Sequence, residues 1–451
     1  MRIPDSQPFV PVILGGDIGT YSLAREFHEA YGAVCVAVPA GSNGVLEHSV
    51  AIDVRPAGTM VDEDAVVAHL LDLARELTAD GANPRPLLLC GSLDLQVMLI
   101  TRHRAALEPR YTIPYVPLAT MERAALKQNF YALCDELGVP HPRTLAYRTD
   151  AHPQPLPDDL PFPLIGKPAD SSAWVRAKFA GKQKIHTIAD RAELGDLLDR
   201  IAGSGYGEPF ILQELVPGGD TNMRLCTYFS DRSGTVRFAG YGEVVVEEHA
   251  PIVLGNSAGI VTAVNEEVIE QGRRVLEHLG WTGFAMFDAK LDPRDGVVKF
   301  FELNPRLGRN HYYLTAAGHN AARFYVREYL GEGYDAGARP GRAAAGSAAV
   351  PPAGAGAGTS AGTIAGTTVA GADTGPEILR EEVLYTVLPL ALLRRHLRGP
   401  VGEKAARLMR AGRVANPLRY RAERHPRRLL YIALSSLNQF RKFRQYPPRE
   451  A

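Results

Sequence analysis

The sequence predicts an α/β protein: an N-terminal Rossmann-like domain on a parallel sheet, then an α+β domain, then a basic helical tail. Three observations predict it. Apolar strands alternate with helices through residues 1–120, which argues for a parallel sheet. From 121 to 332 a short apolar strand ends in a lysine, another leaves through a Pro-Gly-Gly turn, and two more form a carboxylate-bearing hairpin. Residues 391–451 hold 16 Lys and Arg against 3 Asp and Glu.

At 451 residues the chain is long enough for two or three domains, each with its own core. It is 22% charged and 45% hydrophobic, as ordinary globular proteins are. A formal net charge of zero gives no global electrostatic signature for a nucleic acid or an acidic partner. No run of about 18 apolar residues predicts a spanning helix. Met1 to Phe9 has no signal-peptide character, so the cytoplasm is the expected compartment. Cys35, Cys90, Cys134 and Cys226 lie far apart, mostly within apolar runs, as buried thiols of a reducing compartment do.

Phe9 to Leu14 reads as the first strand, followed by Gly15-Gly16-Asp17-Ile18-Gly19 and a helix from about Ser22 to Tyr31. Val34 to Val38 and Leu87 to Cys90 continue the alternation. The glycine turn is not a dinucleotide fingerprint. Leu14 stands where the first glycine belongs, and no acid ends the next strand.

Met121 opens a helix expected to run through Lys127 to Leu137, with Leu126, Phe130, Leu133 and Leu137 as its apolar stripe. Gly138-Val139-Pro140 ends it. Phe162 to Lys167 is a short apolar strand whose terminal lysine Pro168 holds extended. A lysine at the end of a buried strand calls for an anionic partner. Phe210 to Glu214 is a further strand, leaving through Pro217-Gly218-Gly219 toward Asp220. Asp170 to Lys184 forms a loop between them, with Gly181 its single glycine and Lys178, Lys182 and Lys184 as charges.

Phe287-Asp288-Ala289-Lys290 and Phe300-Phe301-Glu302-Leu303-Asn304 read as two strands turning at Asp292 to Gly296. Alternation puts Glu302 and Asn304 on one face and Phe301 and Leu303 on the other; Asp288 and Lys290 share a face. Folded about the turn, Asp288 falls opposite Phe301 or Glu302. Carboxylates that close repel unless a cation sits between them. Asp, Glu and an Asn amide are an all-oxygen set suited to Mg²⁺ or Mn²⁺.

Asp288 with Glu302-Leu303-Asn304-Pro305-Arg306 resembles the metal-binding end of the ATP-grasp superfamily. Its members use ATP to activate a carboxylate as an acyl phosphate, which an amine attacks. The likeness covers about residues 1–330. It implies a pre-ATP-grasp domain at 1–120 and an ATP-grasp domain at 121–332. It implies metal at Asp288, Glu302 and Asn304, and ATP phosphates at Lys127 and Lys167. The strand with Gln213, Glu214 and Val216 would meet adenine, and Asp220 the ribose. Arg306 is the first catalytic candidate, joined by Lys290 and Arg224. The loop after Lys167 departs from the family's Gly-rich pattern. The opening Val-Ile-Leu-Gly-Gly-Asp and the tail around Asn416 to Tyr420 resemble carboxylate–amine ligases of the D-aspartate ligase type, which implies amino-acid and muropeptide substrates. A non-catalytic ATP-binding module is the competing expectation.

Residues 333–375 form the expected linker; Ala343 to Ala372 carries no charge. The extension 376–451 sets apolar faces beside its positive charge. Such a tail either docks on the catalytic core, meets an anionic membrane or lipid-linked precursor, or, least favoured, binds nucleic acid.

Overall fold

The computed structural model describes residues 3–78, 85–125, 127–169, 174, 176–183, 185–251, 253–335 and 375–448. The charge-free stretch 343–372, and Asp170, Ser171, Ser172 and Lys184 of the loop after Lys167, lie outside the described residues.

The strands form three sheets, taken up in turn along the chain. The first comprises β1 (Val10–Leu14), β2 (Cys35–Val38), β3 (Ile52–Val54) and β4 (Leu87–Gly91), all parallel in the order β3-β2-β1-β4. Every residue of β1, β2 and β4 is buried, which is why these strands read as unbroken apolar runs. Helix Ile18–Tyr31 starts four residues before Ser22 because Asp17 caps it, its carboxylate accepting the Thr20 N–H at 3.0 Å. Gly32, at φ 69°, ends it.

The second sheet is antiparallel, β5 (Thr144–Tyr147), β6 (Leu164–Pro168), β7 (His186–Ile188) and β8 (Phe210–Glu214), ordered β5-β8-β6-β7. Trp174, Leu194, Leu198, Ile201 and Phe210 build its own small core. Where a helix from Met121 to Leu137 is expected, Leu118–Ala125 and Lys127–Leu137 are helical, and Leu126 between them lies outside the described residues.

The third sheet has eight strands: β9 (Met223–Ser230), β10 (Val236–Glu248), β11 (Asn256–Ala263), β12 (Gly283–Leu291), β13 (Val298–Asn304), β14 (Glu377–Ile378), β15 (Leu384–Thr386) and β16 (Val414–Ala415). Its order is β13-β12-β9-β10-β11-β15-β16, with β14 beside β10. The tail therefore is more than a helical extension. It contributes β14, β15 and β16, strands of two or three residues, too short to show a period of their own in the sequence.

Among the described residues the tail also forms helices Leu390–Leu393, Gly399–Arg410 and Pro426–Gln445. Leu384, Tyr385, Leu393, Ala405, Leu408 and Phe443 of the tail join one apolar cluster with Phe9, Tyr21 and Phe27 of the first domain and Tyr313 and Tyr325 of the second. Docking on the core, the first of the alternatives for the tail, is what this packing displays. Among the described residues no helix is long and apolar enough to cross a membrane, and the four cysteines are buried and free.

Candidate active site

The site is assembled where the β12–β13 hairpin meets the second sheet. The hairpin turns at Gly296, at φ 75°, whose N–H is bonded to the Asp292 carbonyl at 2.8 Å. Asp288 pairs directly with Glu302 across the ladder, and Met286 with Asn304. The next pair is Ala289 with Phe300, so the register slips and Phe301 is the extra residue. The expectation that Phe301 and Leu303 share a face is corrected by this slip: Phe300 and Leu303 are the core residues, and Phe301 is half-buried.

The ladder leaves two half-buried carboxyl groups side by side. Burial, then the Glu302 charge, drives the Asp288 carboxyl up to about 7, against the Asn304 hydrogen bond and Arg306. The Asn304 amide donates to Asp288 at 2.8 Å, and its Oδ1 accepts from Arg306 at 3.3 Å. Among the described residues no three His, Cys, Asp or Glu converge. The donors are two carboxylates and one amide, hard oxygen ligands whose mutual repulsion a divalent cation relieves, so the set fits Mg²⁺ or Mn²⁺. Arg306 is buried, and Asp94 of the first domain pairs with it at 2.8 Å.

Lys167, at the end of β6, reaches Gln213 Oε1 at 2.9 Å. The Gln213 amide donates to Tyr131 Oη at 2.7 Å and to Thr144 Oγ1 at 2.9 Å. Tyr131 in turn donates to the Phe301 carbonyl at 2.9 Å. A continuous chain of hydrogen bonds thus links the β6 lysine to the residue beside Glu302. Lys127 is helical, but its side chain lies outside the described residues.

Lys290 donates to the Val216 carbonyl at 2.9 Å, tying the third sheet to the turn after β8. Burial lowers its pKa, against the pull of Glu247, Asp220 and Asp292. Val216 is buried. In that turn Gly218 has φ 98°, and a Cβ there would stand 2.4 Å from the Asn222 side chain. Glu214 accepts the Arg143 N–H at 3.2 Å, Lys299 at 3.2 Å and Arg294. Asp220 is held by His249 at 2.9 Å and by the Glu247 N–H at 2.9 Å.

Arg224 is not brought to the carboxylates. It stands opposite Ala289 and Glu243, one step from the Asp288–Leu225 pair, so alternation sends it to the other face of the sheet. There Nη1 donates to the Thr221 and Met223 carbonyls at 2.7 and 2.9 Å. Lys182 of the intervening loop donates to the Trp174 and Ala177 carbonyls at 2.8 and 2.7 Å.

Sequence reasoning missed Tyr131, Asp94, Glu247, His249 and Arg309. Burial, then the charges of Asp220 and Asp288, raises the Glu247 carboxyl to about 8. Arg309 lies 3.3 Å from Glu248 and 3.6 Å from Asp17, joining the glycine turn of the first domain to the end of β10. The signal for Arg309 was present in the Arg-Leu-Gly-Arg run after Pro305; the others are joined only in space.

A domain built on a parallel sheet, an antiparallel and a mixed sheet tied together by Lys290 and Val216, and an Asp–Glu–Asn hairpin are the parts of an ATP-grasp carboxylate–amine ligase. Curated relatives agree. The chain is 33% identical over 334 residues to the D-aspartate ligase of Enterococcus faecium (strain Aus0004), covering 73% of this chain and 78% of that one. It belongs to the family of that enzyme, and so to the ATP-dependent carbon–nitrogen ligases. A segment of 220 residues is 28% identical to the carbamoyl phosphate synthase large chain of Deinococcus radiodurans (strain ATCC 13939), spanning 20% of its length. In fold it is similar to an L-amino acid ligase from Bacillus licheniformis (TM-score 0.50, 15% identity, 74% of this chain and 78% of that one). It is similar as well to a biotin carboxylase from Campylobacter jejuni (TM-score 0.51, 13% identity, 71% of each chain). No protein-family model matches the chain.

Proposed function

We propose that this ligase binds ATP with Mg²⁺ or Mn²⁺, activates an amino-acid carboxylate as an acyl phosphate, and passes the acyl group to an amine of a peptidoglycan precursor. The observation that carries the reading is the directly opposed, half-buried Asp288–Glu302 pair, with Asn304 and Arg306 beside it. Asp288, Glu302 and Asn304 would hold the cation, which when bound neutralises triphosphate charge. Lys167 binds phosphate oxygens, and Gln213 holds it in place. Arg306, pre-set by Asp94, steadies the transferred phosphoryl group. Gln213, Glu214 and Val216 border the base, and Asp220 the ribose, with Lys290 fixing the Val216 carbonyl. Lys127 supplies a second phosphate contact.

No protein nucleophile is needed, since the acyl phosphate itself is attacked. A nucleotide-binding module without catalysis has little use for two carboxylates set directly opposite each other. ATP as a substrate assigns the reaction to the cytoplasm. Similarity to a D-aspartate ligase makes D-aspartate the first amino acid to test. The experiment is a screen of amino-acid and muropeptide pairs for release of ADP and phosphate. Release that requires both partners supports the reading; ATP turnover indifferent to every pair overturns it. The peripheral membrane contact expected from the basic tail needs a surface of its own, and the C-terminal helix carries one.

A further inference from the structure

Helix Pro426–Gln445 has two unlike faces. One is closed against the protein. Arg428 is fully buried, its guanidinium 4.2 Å over the Tyr21 ring. Phe443 is buried, and Tyr431, Ile432 and Phe440 pack on the same core. Gly44 lies so near Tyr431 that a Cβ would stand 2.6 Å from the ring.

The other face is open. Leu429, Leu430, Leu434 and Leu437 are exposed by 50, 59, 56 and 65%. Leu430, Leu434 and Leu437 follow one helical stripe, spaced i, i+4, i+7. Arg427 precedes them and Arg441 and Arg444 follow, all exposed. The helix contains no Asp or Glu. A contiguous apolar stripe left in water on an otherwise packed helix marks a contact surface.

The charges say what covers it. A second copy of the chain would set arginine against arginine whether the helices paired parallel or antiparallel. Four half-exposed leucines also fall short of the roughly 800 Å² per partner that a stable protein interface buries. A leucine band with arginines at both ends matches a helix lying in the plane of a bilayer, leucines at the acyl boundary and guanidiniums among anionic headgroups.

We propose that the open face of helix Pro426–Gln445 docks this protein onto an anionic lipid bilayer through Leu429, Leu430, Leu434 and Leu437, with Arg427, Arg441 and Arg444 on the headgroups. Docking on the core and docking on a membrane are then the work of opposite faces of one helix. The inference goes beyond the ligase reaction and does not depend on its substrates.

The test is co-sedimentation of the full-length protein with vesicles of phosphatidylcholine, alone or mixed with phosphatidylglycerol, at low and high salt. The protein is expected to sediment with the anionic vesicles, to leave them in high salt, and to ignore the neutral ones. The triple variant Leu430→Ser, Leu434→Ser, Leu437→Ser keeps its melting temperature, because these side chains are in water, and loses roughly tenfold or more in binding. Arg427→Glu, Arg441→Glu, Arg444→Glu loses roughly a hundredfold. No sedimentation with anionic vesicles at low salt overturns the proposal, and so does a leucine variant that binds like the parent. A dimer in light scattering that the leucine variant converts to monomer overturns it as well. Vesicle binding is read without turnover, so its failure leaves the ligase reading standing, and the reverse.

Discussion

Asp288 and Glu302 are half-buried cross-strand partners in an antiparallel ladder, and the register slips immediately after their pair. In the absence of a cation their charges oppose each other, and the Asp288 carboxyl rises to about 7 by burial and by that neighbour. Glu302→Gln removes a ligand and the repulsion together. The melting temperature of the metal-free protein is expected to hold or rise, while kcat falls by roughly a hundredfold or more. Thermal melts and turnover at saturating Mg²⁺ check both halves; equal turnover would remove Glu302 from the metal set.

Lys167 is positioned by Gln213, which Tyr131 and Thr144 hold in turn. Lys167→Ala should weaken ATP binding by about 1.5–3 kcal/mol, the range of a charged hydrogen bond. Gln213→Ala leaves the charge but not its placement and should cost less. Calorimetry ranks the two, and unchanged affinity in the lysine variant would place Lys167 outside the site.

The elements were legible where local pattern decides them. The buried parallel strands read as apolar runs, and the hairpin as two strands about an Asp-Pro turn. The position of that turn left Asp288 opposite Phe301 or Glu302, and the structure selects Glu302. The register slip was not legible, because Phe300 and Phe301 are chemically alike and packing alone chooses between them. The Asp94–Arg306 and Gln213–Tyr131 contacts join residues 212 and 82 apart in sequence. Neither partner of such a pair carries a mark of the other. Arg224 looked like a site residue for a related reason: nearness in sequence to the turn after β8 says nothing about which face of the sheet it takes.

His311 and Glu26 form an enclosed pair across the joint between the first and second domains, 3.1 Å apart. Thr315 donates to the same carboxylate at 2.7 Å. Burial lowers the His311 pKa, but the Glu26 charge and hydrogen bond and the Gly308 carbonyl outweigh it, and the net direction is upward. The folded state therefore holds this proton more tightly than the unfolded chain. The stabilisation is full below the ordinary histidine pKa, ~6.5, and is lost as pH rises through the raised value. Glu26→Gln removes the largest opposition to burial and leaves only the Gly308 carbonyl and the Asp17 charge, so the His311 pKa should fall below its ordinary value and stability should rise with pH from that lowered value up to ~6.5. It should also cost about 3–5 kcal/mol near pH 6, as a broken buried pair does. Urea unfolding at pH 6 and 8 reads the sign in each protein; parallel pH trends in the two would exclude Glu26 as the cause.

Glu423 and Arg428 fasten the tail to the first domain, and they do so unequally. Glu423 accepts Tyr21 Oη at 3.1 Å, Ser49 Oγ at 2.6 Å and the Val50 N–H at 3.1 Å, with Arg428 Nε 3.9 Å away. Arg428 donates to the Val45 and Gly44 carbonyls and stacks on Tyr21. Arg428→Met leaves a carboxylate that three donors still satisfy, and keeps most of the volume over Tyr21. Its cost should be about 1–3 kcal/mol, mainly the two carbonyls left without a donor. Glu423→Gln leaves a buried guanidinium with no counter-charge and turns an amide N–H₂ toward one of the three donors. Its cost should be larger, about 3–5 kcal/mol. In the double variant neither charge is stranded, so its loss should be smaller than the sum of the two. Denaturant midpoints of the three proteins give the order directly. An arginine variant less stable than the glutamate variant would reverse the assigned order, and strict additivity would mean that the two residues act independently.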